Sequence, residues 1–180
     1  MRRALRAVVA TLFLWVGSVA FLAPPASAGV LDLTCAPPTS VLNSYSPALT
    51  AAPQTVTVST TALYGPCVSP SQPAIISGTR TASVTTTTSC ADLLGPGTFT
   101  YTITWNTGQT STLSTNYTRV AAGGVYTVTA TGVVTAGVFA GDTVVVNYTG
   151  PSTDITLCTL GLGTVSSLYL PVGTLELTSI

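Results

Sequence analysis

Beyond residue 28 the side chains with reactive or ligating chemistry are few: four cysteines, five carboxylates and two arginines, with no histidine or lysine anywhere in the 180 residues. General acid-base and nucleophilic catalysis therefore lack their usual groups. A glycosidase-like carboxylate pair remains formally available. Asp142, however, sits in the turn Ala140-Gly141-Asp142, Asp92 follows Cys90 in a loop, and Glu176 alternates outward on a terminal strand. Asp142 and Asp154 lie in no run of alternating oxygen ligands, so turn capping explains them better than calcium. No catalytic, cofactor-binding or metal-ligating residue is expected, and the chain reads as a non-enzyme.

The cysteines, Cys35, Cys67, Cys90 and Cys158, are separated by 32, 23 and 68 residues. Zinc sites take close pairs, usually with histidine, so this spacing reads as two disulfides in an exported chain. Three connectivities are open. Strand-like residues near 41–45 and 54–61 flank the loop from Ser46 to Pro53. Folding that hairpin about residue 50 brings Cys35 near position 65, which favours Cys35 with Cys67 and leaves Cys90 with Cys158.

Arg2, Arg3 and Arg6 precede an apolar run from Ala7 to Ala23, and Ala26-Ser27-Ala28 supplies a cleavage site. Residues 1–28 thus read as a cleaved signal peptide and 29–180 as a single secreted, extracellular domain. Cys35 follows Asp32-Leu33-Thr34, which is no lipobox. The remaining charges are Arg80 and Arg119 against Asp32, Asp92, Asp142, Asp154 and Glu176, a net of −3. Two isolated arginines make neither a phosphate-binding stripe nor a basic membrane patch, so neither nucleic acid nor membrane is an expected partner of the mature chain.

These groups have to be positioned by strands. Phe99, Tyr101, Ile103 and Trp105 alternate without error with three threonines, and Asn106-Thr107-Gly108 then turns the chain back through Gln109 to Arg119. Tyr126, Val128 and Ala130 alternate similarly, as do Val144, Val146 and Tyr148, and Val56 with Val58. Residues 165–170 and 174–180 read as a last hairpin around Pro171-Val172-Gly173. No ten-residue segment beyond the signal has helical periodicity, and the abundant threonine disfavours helix. The expectation is an all-β, immunoglobulin-like antiparallel β-sandwich of eight to ten strands, with a closed β-barrel as the alternative. Tyr101, Ile103, Trp105, Val128, Val144 and Val146 should share its core.

Threonine and serine rows such as Thr85 to Ser89 and Thr110 to Thr118 suit solvated strand faces. Tyr64, Tyr117 and Tyr169 are the candidates for exposed sugar-gripping aromatics. The segments Tyr45 to Thr50, Pro53 to Thr57 and Ile103 to Thr112, with the signal peptide, look like those of small secreted β-rich proteins of actinomycetes. That resemblance implies fold and export only. Leu33 to Pro37 and Cys90 to Leu93 resemble fragments of secreted subtilisin inhibitors, whose reactive-site segment has no counterpart here.

The functional expectation is a non-catalytic extracellular binding or envelope-associated module, with wall or extracellular glycan or another secreted protein as partner. The alternative is a hydrolase (protease) inhibitor presenting Gly65-Pro66-Cys67-Val68-Ser69-Pro70 beside a disulfide. Digestion without reductant should yield one peptide pair joining Cys35 to Cys67 and no alkylatable thiol; a peptide joining Cys35 to Cys90 or Cys158 would contradict the hairpin argument.

Overall fold

The computed structural model describes residues 29–179; the signal segment and its cleavage site lie outside them. The strands are β1 (Val30–Leu49), β2 (Gln54–Tyr64), β3 (Cys67–Val68), β4 (Gly78–Thr88), β5 (Gly97–Trp105), β6 (Thr110–Ala122), β7 (Val125–Gly137), β8 (Thr143–Pro151) and β9 (Val165–Ser179). One short helix, α1 (Thr153–Thr159), separates β8 from β9, and a 3-10 turn at Ala91–Leu94 separates β4 from β5.

Every neighbouring pair is antiparallel, in the order β2-β4-β5-β6-β7-β8-β9-β1, and β1 pairs with β2 in turn. The sheet therefore closes on itself. This is an eight-stranded barrel, with the two-residue β3 appended to β1, and not the immunoglobulin-like sandwich. Alternating apolar residues fit either architecture, because both bury one face of each strand. What decides for the barrel is β1, whose 20 residues pair with β9 on one side and with β2 and β3 on the other.

The last hairpin also requires correction, because β9 runs unbroken through Pro171-Val172-Gly173. Gly173 lies opposite Tyr148 on β8, and a Cβ there would sit 2.6 Å from the tyrosine ring. The glycine is thus a close-approach position under an aromatic ring rather than a turn residue. The facing part of β1 holds two irregularities, between Cys35 and Thr39 and between Thr39 and Val41, that absorb the bend.

Apolar side chains line the inside, and the outward rows mix threonine with apolar residues such as Leu42, Leu63, Val145 and Tyr169. Leu33, Val41, Val56, Ile103, Leu113, Val144, Val146, Leu170, Leu175 and Leu177 are all buried inside, whereas Thr98, Thr100, Thr102 and Thr104 face out along β5. Threonine pairs bridge strands on this outer wall, as between Thr102 and Thr112 at 3.1 Å and Thr57 and Thr85 at 3.0 Å.

Each end of the barrel carries a disulfide. Cys35–Cys67 ties β3 to β1 at one end, and Cys90–Cys158 ties the 3-10 turn to α1 at the other. Ile155 of α1 and Leu93 of the turn are buried there, and the Tyr126 hydroxyl donates to the Leu93 carbonyl at 2.6 Å. At the first end Trp105 meets Phe139 edge to face, with ring centroids 5.9 Å apart. Its Nε1 donates to the Ser111 hydroxyl at 2.8 Å, which donates to the Val138 carbonyl.

Trp105 is 2% exposed and is the one tryptophan among the described residues. Trp105→Ala should cost about 3 to 5 kcal/mol in denaturant unfolding. The native protein should emit blue-shifted fluorescence shielded from iodide; emission like that of free tryptophan would show the ring is not in the core.

Candidate functional site

The barrel is incompletely zipped. β2 and β4 pair across all eleven positions of β4, but β4 and β5 pair only at Gly78 with Trp105 and at Thr79 with Thr104. Continuing that register would set Arg80 opposite Ile103, Ala82 opposite Tyr101 and Val84 opposite Phe99. The two strands instead part at Arg80 and leave a seam in the wall. Its effect shows in exposure: Val84 and Phe99 have inward parity yet are 53% and 38% exposed. Phe99, expected to lie on the core face with Tyr101, Ile103 and Trp105, is therefore a rim residue.

Two local features hold the seam. At its closed end Gly78 brings its backbone against the indole of Trp105, where a Cβ would stand 2.7 Å from the ring. At its far end the β4–β5 connection is pulled over the barrel mouth, with the Cys90 amide donating to the Thr50 carbonyl and the cysteine bonded to Cys158.

Behind the seam lies a cavity of about 720 Å³. An eight-stranded barrel has room for filling side chains or for one small ligand, and small-molecule sites commonly measure roughly 300 to 1,000 Å³. The inner wall is mainly apolar, including Val41, Val58, Val128, Val146, Leu168 and Leu170. Tyr45, Tyr101, Tyr126 and Tyr148 interrupt it. Both arginines of the described chain, Arg80 and Arg119, also line it, with Asp92 as its one carboxylate. The site thus carries net positive charge, whereas residues 29–180 as a whole carry a net of −3.

The two arginines differ in what they already contact. Arg119 donates to the Asp92 carbonyl at 3.0 Å and lies 4.2 Å from the Tyr117 ring centroid. Hydrogen bonds from the Ser89 hydroxyl and amide, with the Arg119 charge as a lesser cause, lower the Asp92 pKa. Arg80 stacks over Tyr101 and Phe99, with its guanidinium carbon 4.4 and 5.4 Å from the centroids. Such stacking engages the face of the guanidinium and leaves its N–H edge available. The Arg80 Nε is buried and has no hydrogen-bond partner among the described residues, and the same holds for the hydroxyls of Tyr64 and Tyr148.

The remaining carboxylates stand elsewhere. Asp142 is buried, and burial, reinforced by the neighbouring Asp32, raises its pKa. Asp154 and Glu176 are exposed, and no cluster of three metal-ligating side chains occurs among the described residues. Of the candidate sugar-gripping aromatics, Tyr64 is buried, Tyr117 lines the cavity and Tyr169 is exposed on the outer wall. The segment Gly65 to Pro70 is held at its backbone, with Cys67 and Val68 paired to β1 and the Cys67 amide donating to the Ile76 carbonyl, while Pro66, Val68 and Pro70 are exposed.

Sequence parity places Tyr101 and Tyr148 inward but cannot single them out as site residues. Arg80 could have been noticed as an arginine in the same strand phase as the inward Ala82 and Val84.

Burial, the largest cause, raises the Tyr45 and Tyr126 pKa values to about 12 and pushes those of Tyr101 and Tyr148 well above the ordinary phenol value. A phenol whose folded pKa exceeds its unfolded value of 10.0 contributes stability that is complete below pH 10 and lost as pH rises toward the folded value. In a spectrophotometric titration at about pH 11, at least four of the seven tyrosines should stay protonated until alkaline unfolding releases them together. Independent ionisation of all seven near pH 10 would contradict their burial. No protein-family model, no curated protein and no solved structure matches the chain.

Proposed function

We propose that the protein is a secreted, non-catalytic binding module that holds a small, largely apolar molecule inside its barrel. The observation that carries this reading is the cavity of about 720 Å³ reached through the β4–β5 seam. Two disulfides, fit for an oxidising environment, and the signal-like residues 1–28 support an extracellular setting. Capture of an apolar molecule needs no proton transfer or nucleophile, in keeping with a side-chain set without histidine or lysine.

Burying an apolar ligand here draws on the transfer of its surface from water, roughly 25 cal/mol per Å². The inner wall is a rigid strand framework, so little ordering accompanies binding. Among the cavity-lining residues, Ala130 on β7 is a small inward side chain whose enlargement takes up ligand space.

A neutral fluorescent probe, N-phenyl-1-naphthylamine, should bind one per chain with an emission increase. Ala130→Phe should weaken it by about tenfold or more, equivalent to about 1.4 kcal/mol, while leaving near-ultraviolet circular dichroism unchanged. No saturable binding to the unmodified protein, or binding indifferent to Ala130→Phe in a folded variant, would overturn the reading.

A further inference from the structure

Resting on the cavity reading above, we infer that the ligand is a monocarboxylic amphiphile, its carboxylate held by Arg80 and Tyr148 and its apolar body extending along the barrel.

The inference starts from unsatisfied donors. A buried polar group without a partner costs on the order of 1 to 3 kcal/mol, more when charged, so native proteins leave few of them. Here the Arg80 Nε and the Tyr148 hydroxyl are both buried and unpartnered, and both residues line the same cavity. Tyr148 is 8% exposed, and the Arg80 charge reaches its phenol, opposing the rise in pKa that burial causes. Tyr64, 2% exposed, is not part of the cavity wall; it sits behind Tyr101 and Tyr148, close enough for its hydroxyl to raise the pKa of both. The wall itself offers the Arg80 charge and N–H beside the Tyr148 phenol, a set that an anionic acceptor would engage.

A carboxylate fits this set better than a phosphate. Its two coplanar oxygens match the planar N–H edge of a guanidinium. One charge also matches one cation, whereas a dianion would enter an apolar barrel with a charge uncompensated. Arg119 is less suited to the head group, since it already donates to the Asp92 backbone and its charge is offset by the Asp92 carboxylate.

Geometry gives the direction of the body. Arg80 stands where the seam closes, two residues beyond the Gly78–Trp105 pair, and Trp105 and Phe139 fill the barrel end behind it. The head group therefore lies toward the Trp105 end. The body runs between the Val58, Val128 and Leu168 walls toward the helix end.

Dodecanoate, dodecanol and dodecyl phosphate, each displacing the neutral probe at pH 7, test this. Dodecanoate should bind roughly ten- to hundredfold more tightly than dodecanol, the strength of a charge-assisted hydrogen-bond pair. Arg80→Gln should remove that preference, bringing dodecanoate affinity down to that of dodecanol in the same variant. Tyr148→Phe should reduce it by about two- to tenfold, and Arg119→Gln should retain it. Should Arg80→Gln not fold, Arg80→Lys, which keeps the charge without the planar edge, should lower the preference in its place. Equal affinities of acid and alcohol, a preference that survives Arg80→Gln, or tighter binding of the phosphate would overturn the head-group assignment while leaving the cavity reading intact. Failure of the neutral probe itself to bind would overturn both.

Discussion

Closure of the barrel on its β4–β5 side is anchored by the approach of the Gly78 backbone to the indole of Trp105, beside which Asn106 bonds to Ala74, Ile76 and Ser77 just ahead of β4. Only two residue pairs join these strands, and one of them is this pair. The glycine admits the ring, and the Ser111 hydroxyl takes the indole N–H. Without it the sheet would be an open, curled ribbon with β4 and β5 as edges. With it, the same edges become the sides of a narrow opening. A buried aromatic of this size stabilises by its area and by the directional hydrogen bond at its polar end, and here it also settles where the wall is shut.

The seam explains several features that look unrelated. Val84 and Phe99 are exposed despite inward parity because no neighbour strand covers them. Arg80 lies against two aromatic rings because those rings border the gap it crosses. The 3-10 turn after β4, held by Cys90–Cys158, keeps the connection over the barrel end, where Leu93 and Tyr126 close the base. These three departures from a regular barrel fall along the same line.

Much of this was legible in the residue pattern. Strict alternation from Phe99 to Trp105 fixes the inward row of β5, and the hairpin from Val41 to Thr61 brings Cys35 to Cys67 through simple register. Sheet closure was not legible, because inward alternation is the same for a sandwich and a barrel. Nor was the continuity of β9, since Pro171-Val172-Gly173 has turn-forming residues and only the Tyr148 ring opposite explains the glycine. The run Thr85-Thr86-Thr87-Thr88 carries no parity of its own. Thr86 and Thr88 face the cavity while Thr85 bonds across the outer wall to Thr57, so a row that reads as one solvated face serves two. The seam itself is a missing set of backbone pairs, and no residue type encodes that directly.

The positions of the two disulfides have a mechanical consequence. Cys90–Cys158 fastens the connection at one extremity of the seam to α1, and Cys35–Cys67 braces the opposite rim beside β4's starting end. With backbone pairing at Gly78 and Thr79 and a covalent tether near Ser89, the slit is anchored top and bottom. Its lips are unpaired at mid-length around Val84 and held at both extremities. The arrangement is that of a buttonhole, whose stitched corners keep the weave from running.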